Sequence, residues 1–94
     1  MDLSSYFEKT AKVVDIGGFE WKIRKLTIKE HRQQEESTKG ASTDVDWIKV
    51  NSALISLAVV EPKLSAEDVE NYISAGDMVE LCTAIMEHSQ PKKS

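Results

Sequence analysis

The sequence predicts an α+β fold that is mainly helical, with an N-terminal β-hairpin followed by about four short helices, and three features carry that prediction. Phe19, Trp21 and Ile23 alternate with Glu20, Lys22 and Arg24 directly after Gly17-Gly18, the period of a half-buried strand leaving a tight turn. Met78, Leu81, Cys82, Ile85 and Met86 recur at helical spacing and fall on one face. The stretches TIKE from Thr27, SAED from Ser65 and DMVE from Asp77 each set a capping side chain three residues before an acid. At that spacing each side chain satisfies an orphan backbone donor of the other at a helix start.

Residues 1–9 show no strong period and read as a loose arm or a short helix around Tyr6 and Phe7. Residues 10–26 form the hairpin. A two-residue turn at Gly17-Gly18 uses the positive φ that glycine tolerates, but it sets Asp15 opposite Glu20. Like charges across a ladder are unfavourable, so a longer loop or a bulge is the alternative. An isolated hairpin is marginal in water, so the Phe19, Trp21, Ile23 face must lie on helices.

The helical part spans 27–89. Ile28 to about Thr38 is polar nearly all round, the pattern of a helix that projects, bridges or pairs with something else. Gly40 stands where a helix stop is expected, inside a linker from Lys39 to Thr43. Asp44 or Asp46 caps the next helix, which runs to about Val60. There Trp47, Val50, Leu54, Leu57 and Ala58 share a face, widened by Ile48, Ile55 and Val59, an arc broad enough for contact on more than one side. Pro62 disfavours helix at Glu61 and ends the element. The Ser65 helix points Val69, Tyr72 and Ile73 inward, Ala75-Gly76 closes it, and Asp77 starts the last helix. Residues 90–94 are a charged, flexible tail. The expected core is Trp47, Leu54, Leu57, Val69, Ile73, Leu81 and Ile85, in a single domain over 1–94.

Composition narrows the function classes. Residues 1–40 carry eight Lys/Arg and seven Asp/Glu, residues 61–94 three and seven, within a net charge of −4. An acidic C-terminal third repels phosphate backbones, which argues against nucleic-acid binding. The helix pair around residue 40 also makes a poor helix-turn-helix. Lys49 is the sole basic side chain of the would-be reader, whereas specific readers bring polar or basic groups to base edges. The longest uncharged run, Val50 to Val60, is far short of the roughly 20 apolar residues a bilayer needs.

No residue pattern calls for catalysis or a cofactor. His31 and His88 lack a second His or a Cys at metal-ligand spacing. Gly17-Gly18 lacks the strand, helix and Lys-Ser/Thr that would make a phosphate loop. The single cysteine, Cys82, occupies an apolar helical position and reads as core packing. It permits no intramolecular disulfide and fits a reducing compartment, and MDLSSYFEKTAKVV has no apolar stretch of signal-peptide type.

Three blocks resemble the tail assembly chaperones of long-tailed bacteriophages and PBSX-like defective prophages. They are WKIRKLTIKEHRQQEE at Trp21 to Glu36, LISLAVVEPKLS at Leu54 to Ser65, and SAGDMVELCTAIMEHS at Ser74 to Ser89. The resemblance implies a non-enzymatic protein of the host bacterial cytoplasm, made during tail morphogenesis and absent from the finished virion. It also implies that the chain binds the long, helical, aggregation-prone tape measure protein, helps bring tail-tube protein to it and acts as a homo-oligomer. A small DNA-binding regulator of a phage and a structural tail subunit are the alternative readings. The family offers no residue motif for the partner surface. Candidate contacts are Met78, Val79, Ile85 and Met86 on the last helix, where methionine suits an adaptable surface, together with Trp47.

Overall fold

The protein, as a computed structural model, is described over residues 3–90. In chain order it runs α1 (Leu3–Thr10), β1 (Lys12–Ile16), β2 (Phe19–Ile23), α2 (Ile28–Gly40), α3 (Asp44–Ala58), β3 (Val59–Glu61), α4 (Ala66–Tyr72) and α5 (Ala75–Ser89). The α+β, mainly helical class read from the pattern is the one observed, with four helices after the hairpin. The expected arm resolves into α1, and of the expected tail residues 91–94 lie outside the described residues.

The hairpin closes through the two-residue turn. Gly17 and Gly18 have φ of 66° and 76°, the pair of positive values a type I′ turn requires. The register pairs Ile16 with Phe19 and Asp15 with Glu20. That acidic pair is exposed on both strands, where water screens the repulsion. Trp21 and Ile23 are buried, with Trp21 Nε1 donating to the Ile16 carbonyl at 3.1 Å. Phe19 departs from expectation: it sits beside the turn, paired with Ile16, and is 54% exposed, its ring centroid 5.1 Å from that of Trp21.

β3 is an element that periodicity missed. Helix α3 ends at Ala58, and Val59–Glu61 pairs antiparallel with β2, giving sheet order β1-β2-β3 with an irregularity at Lys22/Ile23. Arg24 N–H donates to Ala58 O at 3.0 Å as the chain enters this pairing. Two β-branched residues and a residue held extended by Pro62 favour strand over helix, and the free edge of β2 supplies the partner.

The helix caps follow side-chain chemistry closely, with three corrections of position. Thr27 and Glu30 form the expected reciprocal cap of α2, and Ser65 and Asp68 that of α4. For α3 the cap is Thr43, not Asp44 or Asp46; its Oγ1 accepts from Asp46 N–H at 3.1 Å. For α5 the cap is Ser74, whose Oγ accepts from Asp77 N–H at 3.2 Å, so Ala75 and Gly76 form the first turn of α5 and do not close α4. Gly40 is the last residue of α2 without a left-handed conformation, and Ala41 caps that end.

The core gathers Ile16, Trp21, Ile23 and Leu26 from the hairpin segment, Leu54, Ile55, Ala58 and Val59 from α3 and β3, Val69 from α4, and Met78, Leu81 and Ile85 from α5. Of the expected core, Leu54, Val69, Leu81 and Ile85 are buried and Ile73 is half-buried, whereas Trp47 and Leu57 are exposed at 48% and 45%. Tyr72, expected inward, is also exposed. The face of α3 that meets the core is centred on Asn51, Ile55 and Ala58, about one residue round from the apolar arc, because Asn51 and Ser52 are buried despite their polarity. Two long-range hydrogen bonds fasten the end of α5: Ser89 Oγ accepts from Leu26 N–H at 2.9 Å, and His88 Nε2 lies 2.6 Å from Thr10 O.

Candidate partner-binding groove

Helix α2 has no buried residue, so it covers only part of what lies beneath it. Its first turns are anchored by charge. Arg24 makes two parallel 2.9 Å bonds to the Glu30 carboxylate, and that pairing, with Thr27 N–H donating to the same group, holds Glu30 at a pKa of about 2. Between α2, α3 and α5 lies an open groove of about 600 Å³. One wall is Gln34, Glu35, Thr38 and Lys39 of α2. Trp47, Asn51 and Leu54 of α3 form the second, and Val79, Cys82, Thr83, Met86 and Glu87 of α5, with Gln90 just past its end, the third.

This arrangement divides the expected partner-binding residues. Trp47, Val79 and Met86 converge on the groove, Trp47 and Val79 with about half of their surface in solvent. Met78 and Ile85 lie on the other face of α5, at 8% and 0% exposure in the core; as folded they present no surface to a partner. The division follows from helical geometry, since residues 79, 82, 83, 86 and 90 repeat on one side of α5 while 78, 81 and 85 repeat on the side turned to the core.

Cys82 sits between these faces. It is half-buried, its Sγ 3.8 Å from Asn51 O, and burial pushes its thiol up to about 12. The thiolate is the nucleophilic form, and burial disfavours it at this sulfur.

Asn51 is the residue sequence reasoning missed. It follows Trp47 by one turn and precedes Leu54 by one, so it lies on the groove wall, yet it is only 3% exposed. Among the described residues no group accepts from its Nδ2. A buried donor without an acceptor costs about 1–3 kcal/mol. Ser52 Oγ is in the same condition but does not line the groove. The only signal in the sequence was an amide breaking an apolar run, which reads equally well as an exposed position.

A second depression, about 640 Å³, runs beside β3 and takes in Lys22, Leu57, Val60, Lys63 and Leu64. It accounts for the exposure of Leu57, but it contains neither of the buried polar atoms that lack a partner. Among the described residues no three His, Cys, Asp or Glu side chains come together as a metal would require, and no helix is long and apolar enough to cross a membrane. Set against family models, curated proteins and solved structures, the chain finds no match.

Proposed function

We propose that this protein is a non-enzymatic tail assembly chaperone that shields the helical tape measure protein of a long-tailed phage or defective prophage and helps tail-tube protein assemble on it. The observation that carries the reading is the groove between α2, α3 and α5, where Trp47, Val79 and Met86 leave apolar surface uncovered beside a polar helix. A folded chain that holds such a groove open can take an amphipathic helix by its apolar face. The resemblance of the three sequence blocks supplies the identity of that helix. In this reading the chain works in the host bacterial cytoplasm, as a homo-oligomer, without cofactor or catalysis.

Coexpression with the tape measure protein encoded in the same genome tests the reading. Copurification of a soluble complex is expected, and Met86→Glu should abolish it while the far-UV circular dichroism stays helical. A tape measure protein that remains insoluble in the presence of the native chain removes the proposal. Steep salt-dependent binding to duplex DNA, or retention of the chain in mature particles, would replace it with one of the alternatives.

A further inference from the structure

Helix α1 stands apart from the rest of the fold. Among the described residues the contacts that build the molecule join the hairpin, β3 and helices α2 to α5, and α1 supplies nothing to the core. It is held at its C-terminal end, where Thr10 O meets His88 Nε2 at 2.6 Å and the chain continues into β1. By spacing, however, it is amphipathic. Leu3, Tyr6 and Phe7 stand at i, i+3 and i+4, on one side of a helix, and Tyr6 is 55% exposed. Eight residues make a marginal helix in water, and most helical stability comes from packing such a side.

The groove between α2, α3 and α5 is a surface of matching size. Its apolar lining runs from Trp47 on α3 to Val79, Cys82 and Met86 on α5. At 1.5 Å per residue α1 is about 12 Å long, and the wall from Val79 to Gln90 is about 17 Å, so all of α1 fits along it.

The groove of its own chain is out of reach. Ala84 and His88 share a depression with Thr10 and Lys12, and on α5 they stand across the helix axis from Val79, Cys82 and Met86. A helix anchored on that side cannot lie in the groove of the same chain while His88 keeps its contact with Thr10. The groove of a second chain carries no such restriction.

We infer that α1 of one copy lies in the groove of a second copy, with Leu3, Tyr6 and Phe7 set against Trp47, Val79 and Met86, and that the exchange is reciprocal. Exchange of an identical element is a low-cost route to a closed dimer. Helix α1 and a client helix then compete for one surface, so the paired chains keep their apolar grooves covered until a client displaces α1. The pairing names the contact behind the homo-oligomer of the proposed function, and the competition alone rests on the chaperone reading.

Sedimentation velocity of the full chain tests the pairing. The wild type is expected to be a dimer at micromolar concentration. Tyr6→Glu on α1 and Val79→Glu on the groove wall each change an exposed residue, so far-UV circular dichroism should stay helical. Each variant alone should associate at least about tenfold more weakly. Mixed in equal amounts, the two variants should pair again, because one sound α1 then meets one sound groove. Phe7→Glu is the second variant on α1 and should behave as Tyr6→Glu does. A monomeric wild type, a dimer that survives the α1 or the groove substitution, or a mixture that stays monomeric overturns the inference.

These outcomes separate from those of the functional reading. Tyr6→Glu vacates the groove and should increase copurification of the tape measure protein; copurification that is unchanged removes the competition. A monomeric wild type that copurifies the tape measure protein leaves the chaperone and removes the pairing. Variants that pair again on mixing, with no copurification by any of them, uphold the pairing and remove that client.

Discussion

The two halves of α3 both carry apolar residues and bury them to different extents. In the second half, Leu54, Ile55 and Ala58 are at most 3% exposed, while Leu57, at 45%, faces the depression beside β3; in the first, Val45, Trp47 and Ile48 are 60%, 48% and 38% exposed. Helix α3 packs chiefly on α4 and α5, and the groove that its Trp47 shares with α2 has on that side a helix with no buried residue. Hydrophobicity makes a residue eligible for burial, but burial needs a second apolar surface at the right distance. Where that surface is missing, the same spacing produces a groove.

The contrast is sharpest in stability. Ile85→Ala, in the part of α5 that closes the core, should cost about 2–5 kcal/mol in urea unfolding. Trp47→Ala should cost no more than about 1 kcal/mol, although it removes the larger side chain. Equal losses would mean that the first half of α3 is core after all.

Gly17→Ala comes next, with an expected loss of about 1–3 kcal/mol. The position has a positive φ, and a Cβ there would meet Asp77 Oδ2 at 2.8 Å, at the start of α5. Gly18 has a positive φ but open space around it, so Gly18→Ala should be the milder of the two. A reversed order in thermal unfolding would place the hairpin turn away from α5.

The smallest effect concerns pH. Glu30 is held near 2, below its ordinary 4.5, chiefly by the Arg24 hydrogen bonds. A carboxylate whose folded pKa is depressed contributes stability above its unfolded pKa and loses it as the pH falls through the folded one. The Arg24 pair should therefore weaken the fold progressively between about pH 4.5 and 2, by on the order of 1 kcal/mol for a partly screened pair. Glu30→Gln should flatten that part of the stability profile. An unchanged slope would assign the acid sensitivity elsewhere.

The groove was half legible. Spacing put Val79 and Met86 on the last helix, and Trp47 was marked as a contact as well as a core residue. The reading did not separate them from Met78 and Ile85, because a helix with apolar residues on adjoining faces has no internal mark of which face meets its own core. Asn51 was invisible for a related reason: an amide in an apolar run looks like solvent exposure until the neighbouring helices enclose it.

By itself the sequence determined what depends on a few adjacent residues. The caps at Thr27 and Ser65 follow from hydroxyls three residues before an acid, the Gly17-Gly18 pair offered a two-residue turn beside a longer loop or bulge, and periodicity marked the apolar positions of the last helix. These interactions close over four or five residues, so their energetics are written locally. Only the tertiary structure decided that Val59–Glu61 leaves the helix to complete β2, that Trp47, Leu57 and Tyr72 stay in solvent, and that Asn51 is buried without an acceptor. Each depends on what a distant segment offers, an open sheet edge or an apolar surface to close against, and no local pattern encodes the position of that segment.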